Sequence, residues 1–499
     1  MNESAELRQL VNGVLLPGFT GTRAPGWLED ELGAGLAGVV YFAPNVVDAG
    51  RVAQLSAALH RVRAGIVIAV DEEGGDVTRL EARGGSSYPG NAALGRLDDT
   101  GATTAVAQAI GRDLRRAGID LDLAPVVDVN SSPHNPVIGV RSFGADVQLT
   151  ARHSRAFVAG LQGSGVAACA KHFPGHGDTV VDSHVDLPVI DVDLPTLRRR
   201  DLPPFAAAIE AGVRCVLTAH IRFPSLDDRP ATLSPVVLGL LREELGFDGV
   251  VITDAVDMAA IARGVGTGPG AALALAAGAD LVCIGNPTDD RAELAAVRSA
   301  VLDAVVTGGL AVSRLEEAHT RIGALATWIT EAAAASTRPP AGAPCDGGVG
   351  LDLARRVLVT TGSVRLTGTP HVLDLRTHAN QAAGRHAPRV SDALARLAPG
   401  TTSSVLPPGG ADGARAAAGL AAAAGRPLVV VVDDPHRDRE QATRLRALVS
   451  ARTDAVVVAT GLPDPGLRLG ENVVQTYGAG GVNARAAAEV LLGARARPP

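Results

Sequence analysis

The stretch Val166-Ala-Ala-Cys-Ala-Lys171-His172-Phe-Pro174-Gly175-His176-Gly177 changes character at Lys171. Five small apolar residues make a strand-like run, and a cation and an imidazole close it. Pro174, lacking an N–H, and Gly175 and Gly177, with their loose backbones, then break both ladder and helix, so the run must open into a loop. Lys171 is the only lysine among 46 basic residues. Arginine brings a planar fork and lysine a compact, flexible ammonium, so a lysine kept in such a chain marks a place that needs the smaller group.

Working outward, seven further apolar runs share this design: Gly13–Gly18, Gly38–Phe42, Gly65–Asp71, Leu121–Val129, Arg214–His220, Gly249–Asp254 and Asp280–Gly285. With Val166–His172 they alternate with Ala/Leu-rich helical segments, the rhythm of repeated βα units around a parallel sheet. Periodicity fits a closed (β/α)8 TIM-like barrel or an open doubly wound sheet. The polar residues separate the two. Asp71, Asp128, Lys171 with His172, His220 and Asp254 each fall at the carboxyl end of a run, and in a parallel barrel those ends share one face. A helix cap or loop turn explains any one alone, but not all five in register.

Residues 331–348, rich in Pro, Gly and Ala, separate two patterned regions. The expected division is a barrel domain over 1–335, a linker over 336–348 and a smaller αβα sandwich domain over 349–499. In the latter, strands are expected at Val357–Thr361, His371–Leu375, Leu428–Asp433, Ala455–Thr460 and Asn472–Tyr477, and helices at Arg437–Ala451 and Asn483–Leu492. The Tyr-Gly-Ala-Gly-Gly turn from Tyr477 lacks the full dinucleotide-binding glycine spacing and reads as helix-start geometry.

With 20% charged and 46% apolar residues and a net charge of −7, the chain has an ordinary soluble composition and no basic excess to hold nucleic acid. No apolar run is long enough to span a bilayer, and the acidic N-terminus does not read as a secretory signal, so the cytoplasm is the expected compartment. Cys169, Cys215 and Cys283 lie in strand-like runs as small buried hydrophobes, and no CxxC spacing supports a disulfide framework or zinc. No cofactor is expected, and a monomer or homodimer is.

His172 and His176 stand four apart, but the Pro-Gly between them removes the helix that would aim both at a metal, so no metal is expected. Asp182-Ser183-His184 sets a carboxylate beside an imidazole on a loop able to move. A carboxylate accepting from one ring nitrogen fixes the tautomer and raises the basicity of the other. In Ile252-Thr-Asp254-Ala-Val-Asp257-Met, Asp254 ends an apolar run and suits a carboxylate nucleophile or an ion-pair partner. Asp257 is expected in the first turn of the next helix, where negative charge suits the dipole.

Lys-His-Phe-Pro-Gly-His-Gly followed by Asp-Ser-His and Ile-Thr-Asp-Ala-Val-Asp-Met resembles glycoside hydrolase family 3, in its β-N-acetylglucosaminidase branch. Asp-Glu-Glu-Gly-Gly at 71–75, Asn-Pro-Val-Ile-Gly-Val-Arg-Ser-Phe at 135–143 and Thr-Ala-His at 218–220 extend the likeness over residues 10–330. Over 345–499 it is looser, resembling the αβα domain of two-domain members. The resemblance implies a retaining exo-β-N-acetylglucosaminidase working by double displacement. Asp254 is then the nucleophile, His184 the acid/base and Asp182 its partner, while Asp71, Arg79, Arg141, Lys171 and His172 hold the terminal N-acetylglucosamine. The substrate would be a GlcNAc-containing carbohydrate, either a muropeptide or a chitin oligosaccharide. One departure stands out: Asp76 occupies the place of the family's usual arginine after Glu-Gly-Gly, which puts the ion pairing near Asp71 in doubt.

Three rivals remain. A histidine acid/base repels phosphate less than a carboxylate would, so a β-N-acetylglucosaminide phosphorylase is open. A non-catalytic sugar-binding protein on the same scaffold has no reason to keep Asp254, Asp182 and His184 together. A metal-dependent barrel hydrolase would need a His-x-His pair where Gly65–Asp71 ends in carboxylates.

Overall fold

A computed structural model describes residues 3–183, 186–285, 290–335, 347–376, 390–406, 412–464 and 466–493. They form two compact units. The first comprises Met1–Glu73, Thr103–Val137 and Ala145–Cys345, and the second Gly74–Ala102, Ile138–Gly144 and Asp346–Pro499. The linker expected over 336–348 lies outside the described residues up to 346, and the helix Gly347–Val357 follows.

The first unit is a round of eight parallel strands: β1 (Leu15–Pro17), β2 (Gly38–Tyr41), β3 (Val67–Val70), β4 (Leu121–Asp122), β5 (Ala167–Phe173), β6 (Cys215–Thr218), β7 (Val250–Thr253) and β8 (Val282–Ile284). Strands β2 to β7 pair in chain order. Ile252 bridges to Leu281 at the start of β8, and β8 pairs with β1. The Ala37 N–H donates to the Asn12 carbonyl and brings the chain entering β1 beside that entering β2. Every expected strand of this unit is present, and all eight strands are buried throughout. Such near-continuous apolar runs suit strands covered on both faces.

The helices start on their own signals. Asp146 Oδ1 accepts from the Leu149 N–H at 2.7 Å, capping Val147–Gly163, a contact worth about 1 kcal/mol. That helix buries Phe157, Val158 and Leu161, and truncating Phe157 to Ala would cost about 3–5 kcal/mol. At the amino ends of the strands, buried Asp280 accepts from the Val251 N–H at 2.9 Å and from Arg242 at 2.5 Å. Arg314 and Arg321 complete its surroundings.

The second unit carries a six-stranded sheet: β9 (Val359–Thr361), β10 (His371–Asp374), β11 (Thr402–Val405), β12 (Leu428–Val432), β13 (Val456–Ala459) and β14 (Asn472–Gln475). Their spatial order is β9, β14, β13, β12, β10, β11, all parallel except β9. Alternate residues feed two cores. Val429, Val431, Val456 and Val458 serve one face, and Leu428, Val430, Val432 and Val457 the other. The expected helices are present as Arg439–Ala451 and Gly481–Leu491. Strand β11 was not foreseen: its sequence, Thr-Ser-Ser-Val, is polar because it is a largely exposed edge strand.

Asp76 also belongs to this unit, where its carboxylate accepts from the Ala479 N–H at 2.6 Å. Burial pushes its pKa up to about 6, against the pull of that N–H and of Arg376.

Candidate active site

Strand β5 carries the central cation. Lys171 is 2% exposed, and its Nζ lies 2.7 Å from both Asp71 Oδ1 and Glu73 Oε1. Asp71 and Glu73 belong to the turn that follows β3, two strands from β5 in the sheet, so the end of a single strand delivers both partners. Charge-assisted bonds of this length are among the stronger polar contacts. They also fix where the ammonium sits.

His172 follows on the same strand. Its Nδ1 donates to Asp128 Oδ2 at 2.7 Å, which fixes the ring and its tautomer. Asp128 also accepts the backbone N–H groups of His172 and, at 2.7 Å, His176. One buried carboxylate thus clamps the loop 172–176 at both ends. Burial alone would raise the Asp128 pKa, but the two histidines and the N–H donors hold it below the ordinary carboxylate range. The loop lies close to its neighbours: a Cβ at Gly177 would come within 1.7 Å of the Val129 carbonyl oxygen. Arg200 ties the same loop down by bridging Asp178, at 2.7 Å, to Asp201, at 2.9 Å. Burial pushes the Asp201 pKa up to about 6, with Arg200 opposing.

Of the expected acid/base pair, Asp182 is half-buried, and His184 lies outside the described residues. Between them, Ser183 is buried and its hydroxyl lies 3.1 Å from His176 Nε2, linking this segment to the Lys171 loop.

Asp254 leaves the end of β7. Its N–H donates to the Thr218 carbonyl at 3.2 Å, and its Oδ1 accepts from the Ala255 N–H at 2.8 Å. His220 Nε2 donates to the Ala255 carbonyl at 3.0 Å, while its Nδ1 meets the Thr232 hydroxyl at 2.9 Å. Asp257 is not in the first turn of a helix. It precedes the helix Ala259–Ala262 and accepts from the Gly285 N–H at 2.6 Å, holding the end of β8. The buried Cys283 thiol on β8 registers the whole arrangement. Burial raises its pKa first, then the carboxylates of Asp254, Asp257 and Asp71, with Lys171 pulling back. Asp254, Asp71 and Lys171 therefore all lie within electrostatic reach of this one thiol.

Arg79 and Arg141 fall in the second unit. Arg141 ends a short 3-10 helix, is buried, and its carbonyl accepts from Asn91 Nδ2 at 2.7 Å. Arg79 is half-buried. Glu73, Asp122 and Asp128 are structural parts of the cluster that the sequence reading assigned no site role. Asp128 stood at a strand end, Glu73 within the quoted acidic run, and Asp122 as a lone charge inside an apolar run. Among the described residues no three His, Cys, Asp or Glu side chains gather as metal ligands, and no helix is long and apolar enough to cross a membrane.

A parallel barrel whose strand ends carry a clamped lysine, a histidine–aspartate pair and a further aspartate has the build of a glycoside hydrolase. Comparison with known proteins defines the family. Residues 27–325 match the glycosyl hydrolase family 3 N-terminal domain. The chain is 36% identical to β-hexosaminidase A of Pseudoalteromonas piscicida over 60% of its own length and 54% of that protein's. It is 38% identical to a β-hexosaminidase of Xylella fastidiosa over 55% of its length and 84% of the relative's. A solved family 3 β-N-acetylglucosaminidase from Paenibacillus superposes with a TM-score of 0.86 at 33% identity, covering 98% of this chain and 97% of that one. The chain belongs to glycosyl hydrolase family 3.

Proposed function

We propose that the protein is a retaining exo-β-N-acetylglucosaminidase that removes terminal non-reducing GlcNAc from muropeptides or chitin oligosaccharides. Asp254 attacks the anomeric carbon while His184, oriented by Asp182, protonates the leaving oxygen. The same imidazole then takes a proton from the water that releases the sugar with net retention. Asp71, Lys171 and His172, with Arg79 and Arg141, hold the sugar's hydroxyls.

The observation that carries this reading is the position of Asp254. It lies at a strand end, half-buried, with one oxygen held by the next backbone N–H, within electrostatic reach of the same thiol as Asp71 and Lys171. The name of the Paenibacillus enzyme supports GlcNAc as the sugar, and those of the hexosaminidases support a hexosamine. The test is hydrolysis of an aryl β-N-acetylglucosaminide followed by NMR of the released anomer. Retained configuration in the wild type and loss of turnover in Asp254→Ala are expected. Full activity in that variant would overturn the nucleophile assignment. Strong acceleration by inorganic phosphate with a sugar 1-phosphate product would replace hydrolysis by phosphorolysis.

A further inference from the structure

We propose that Asp122 acts as a neutral carboxylic acid that positions the Asp71–Glu73 turn, and through it Lys171, for the sugar. The proposal rests on the reading that Asp71 and Lys171 are sugar ligands.

Asp122 ends the short strand β4 beside Val70, the last residue of β3. It is fully buried, and its Oδ1 accepts from the Glu72 N–H at 2.9 Å. That N–H belongs to the peptide joining Asp71 to Glu72, just beyond β3. The side chain of Asp122 therefore supplies the acceptor that anchors the residue carrying the lysine's first partner. Its other oxygen, Oδ2, is buried without a hydrogen-bond partner among the described residues.

An ionised carboxylate can accept at both oxygens and is costly to bury with one of them bare. A protonated one carries no charge, so its burial costs far less. The local charge inventory points the same way. Asp122 feels the carboxylates of Glu72 and Asp71 and, against them, the ammonium of Lys171, whose Nζ is already engaged by Asp71 and Glu73. In keeping with this, burial first, and the carboxylates of Glu72 and Asp71 after it, raise the Asp122 pKa well above the ordinary range, with the Glu72 N–H and Lys171 opposing.

The test compares Asp122→Asn, an uncharged isostere that keeps the acceptor, with Asp122→Leu, which removes it. On an aryl β-N-acetylglucosaminide, Asp122→Leu is expected to raise KM about tenfold with kcat changed far less, because ground-state positioning is lost. Asp122→Asn is expected to restore KM and leave the pH profile as in the wild type. An Asn variant as impaired as the Leu variant would show that charge is needed and overturn the proposal, as would a Leu variant with unchanged KM.

Two readouts do not depend on turnover. The wild type should show a protonated-carboxyl C=O band in infrared difference spectra against Asp122→Asn at neutral pH. Hydrogen exchange in the peptide containing Glu72 should quicken in the Leu variant and not in the Asn variant. Absence of that band, or equal exchange in both variants, sinks the role of Asp122 even if the enzyme cleaves GlcNAc glycosides. If the wild type cleaves none, the functional reading fails, and these two measurements still decide whether Asp122 is neutral and holds the turn. Should Asp122→Leu not fold, the band and the Asn kinetics decide alone.

Discussion

At the amino ends of the barrel strands Asp280 is enclosed by Arg242, Arg314 and Arg321, and at the carboxyl ends Lys171 is enclosed by Asp71 and Glu73. Both are buried ionic clusters. The first surrounds one buried anion with three half-buried cations, two of which also meet Glu317, and its anion also takes the Val251 N–H. The second surrounds one cation with acids, and a further acid, Asp122, lies behind them. Surplus arginine donors can be met by backbone and water at the rim, whereas surplus acid is what a ring of sugar hydroxyls can satisfy as donors. In a parallel barrel the amino-end face serves stability and the carboxyl-end face chemistry. The two clusters divide along that line.

The sharpest way to break the contrast is Asp280→Asn. Removing the charge weakens the bonds of three half-buried guanidinium groups to it, a loss of about 1.5–3 kcal/mol. A steep fall in thermal midpoint with kcat/KM kept in the surviving folded protein is expected. Lys171→Met should act on catalysis as well, lowering kcat/KM on an aryl β-N-acetylglucosaminide by roughly 10–10²-fold, as for loss of a charged contact. Lys171 and Glu73 are the more deeply buried pair, so the melting midpoint should fall here too, and a folded variant with unchanged kcat/KM would erase the contrast.

A pH titration of stability sharpens the picture on the carboxyl-end side. The Asp201 pKa is raised from 3.8 to about 6 in the folded protein. The proton is therefore bound more tightly folded than unfolded. The stability this gives is complete below pH 4 and is lost as pH rises through about 6, an order of 2–3 kcal/mol. Urea unfolding between pH 4 and 7 should show this decline in the wild type, and Asp201→Asn should flatten it. The smallest effect expected is that of Lys171→Arg. Charge is kept, but the fork does not fit where the ammonium sits, so KM should rise about tenfold, some 1.4 kcal/mol. Unaltered kinetics would return the lone lysine to an accident of composition.

The barrel was legible because each strand is a short apolar run closed by a polar residue, and that pattern is local. So was the pairing of one end-residue with another as a class: Lys171 and Asp71 were both marked, and they meet. What they share the site with was not legible. Glu73 and Asp122 take their roles from contacts roughly 100 and 50 residues away in sequence, and no spacing along the chain signals them. Strand β11 escaped because an exposed edge needs no apolar alternation. Asp257 was misplaced because the negative charge that would suit a helix start suits the Gly285 N–H equally well.

Segment 74–102, which begins two residues before Asp76, folds with residues 346–499 and not with the strand that precedes it. A gene cut at the linker would therefore not separate the two units cleanly. The first 335 residues would carry 74–102 and 138–144, with Arg79 and Arg141 on them, stripped of the unit they belong to. The remainder would lack the carboxylate that meets the Ala479 N–H. The boundary between the two units therefore cannot be drawn as a single cut in the sequence.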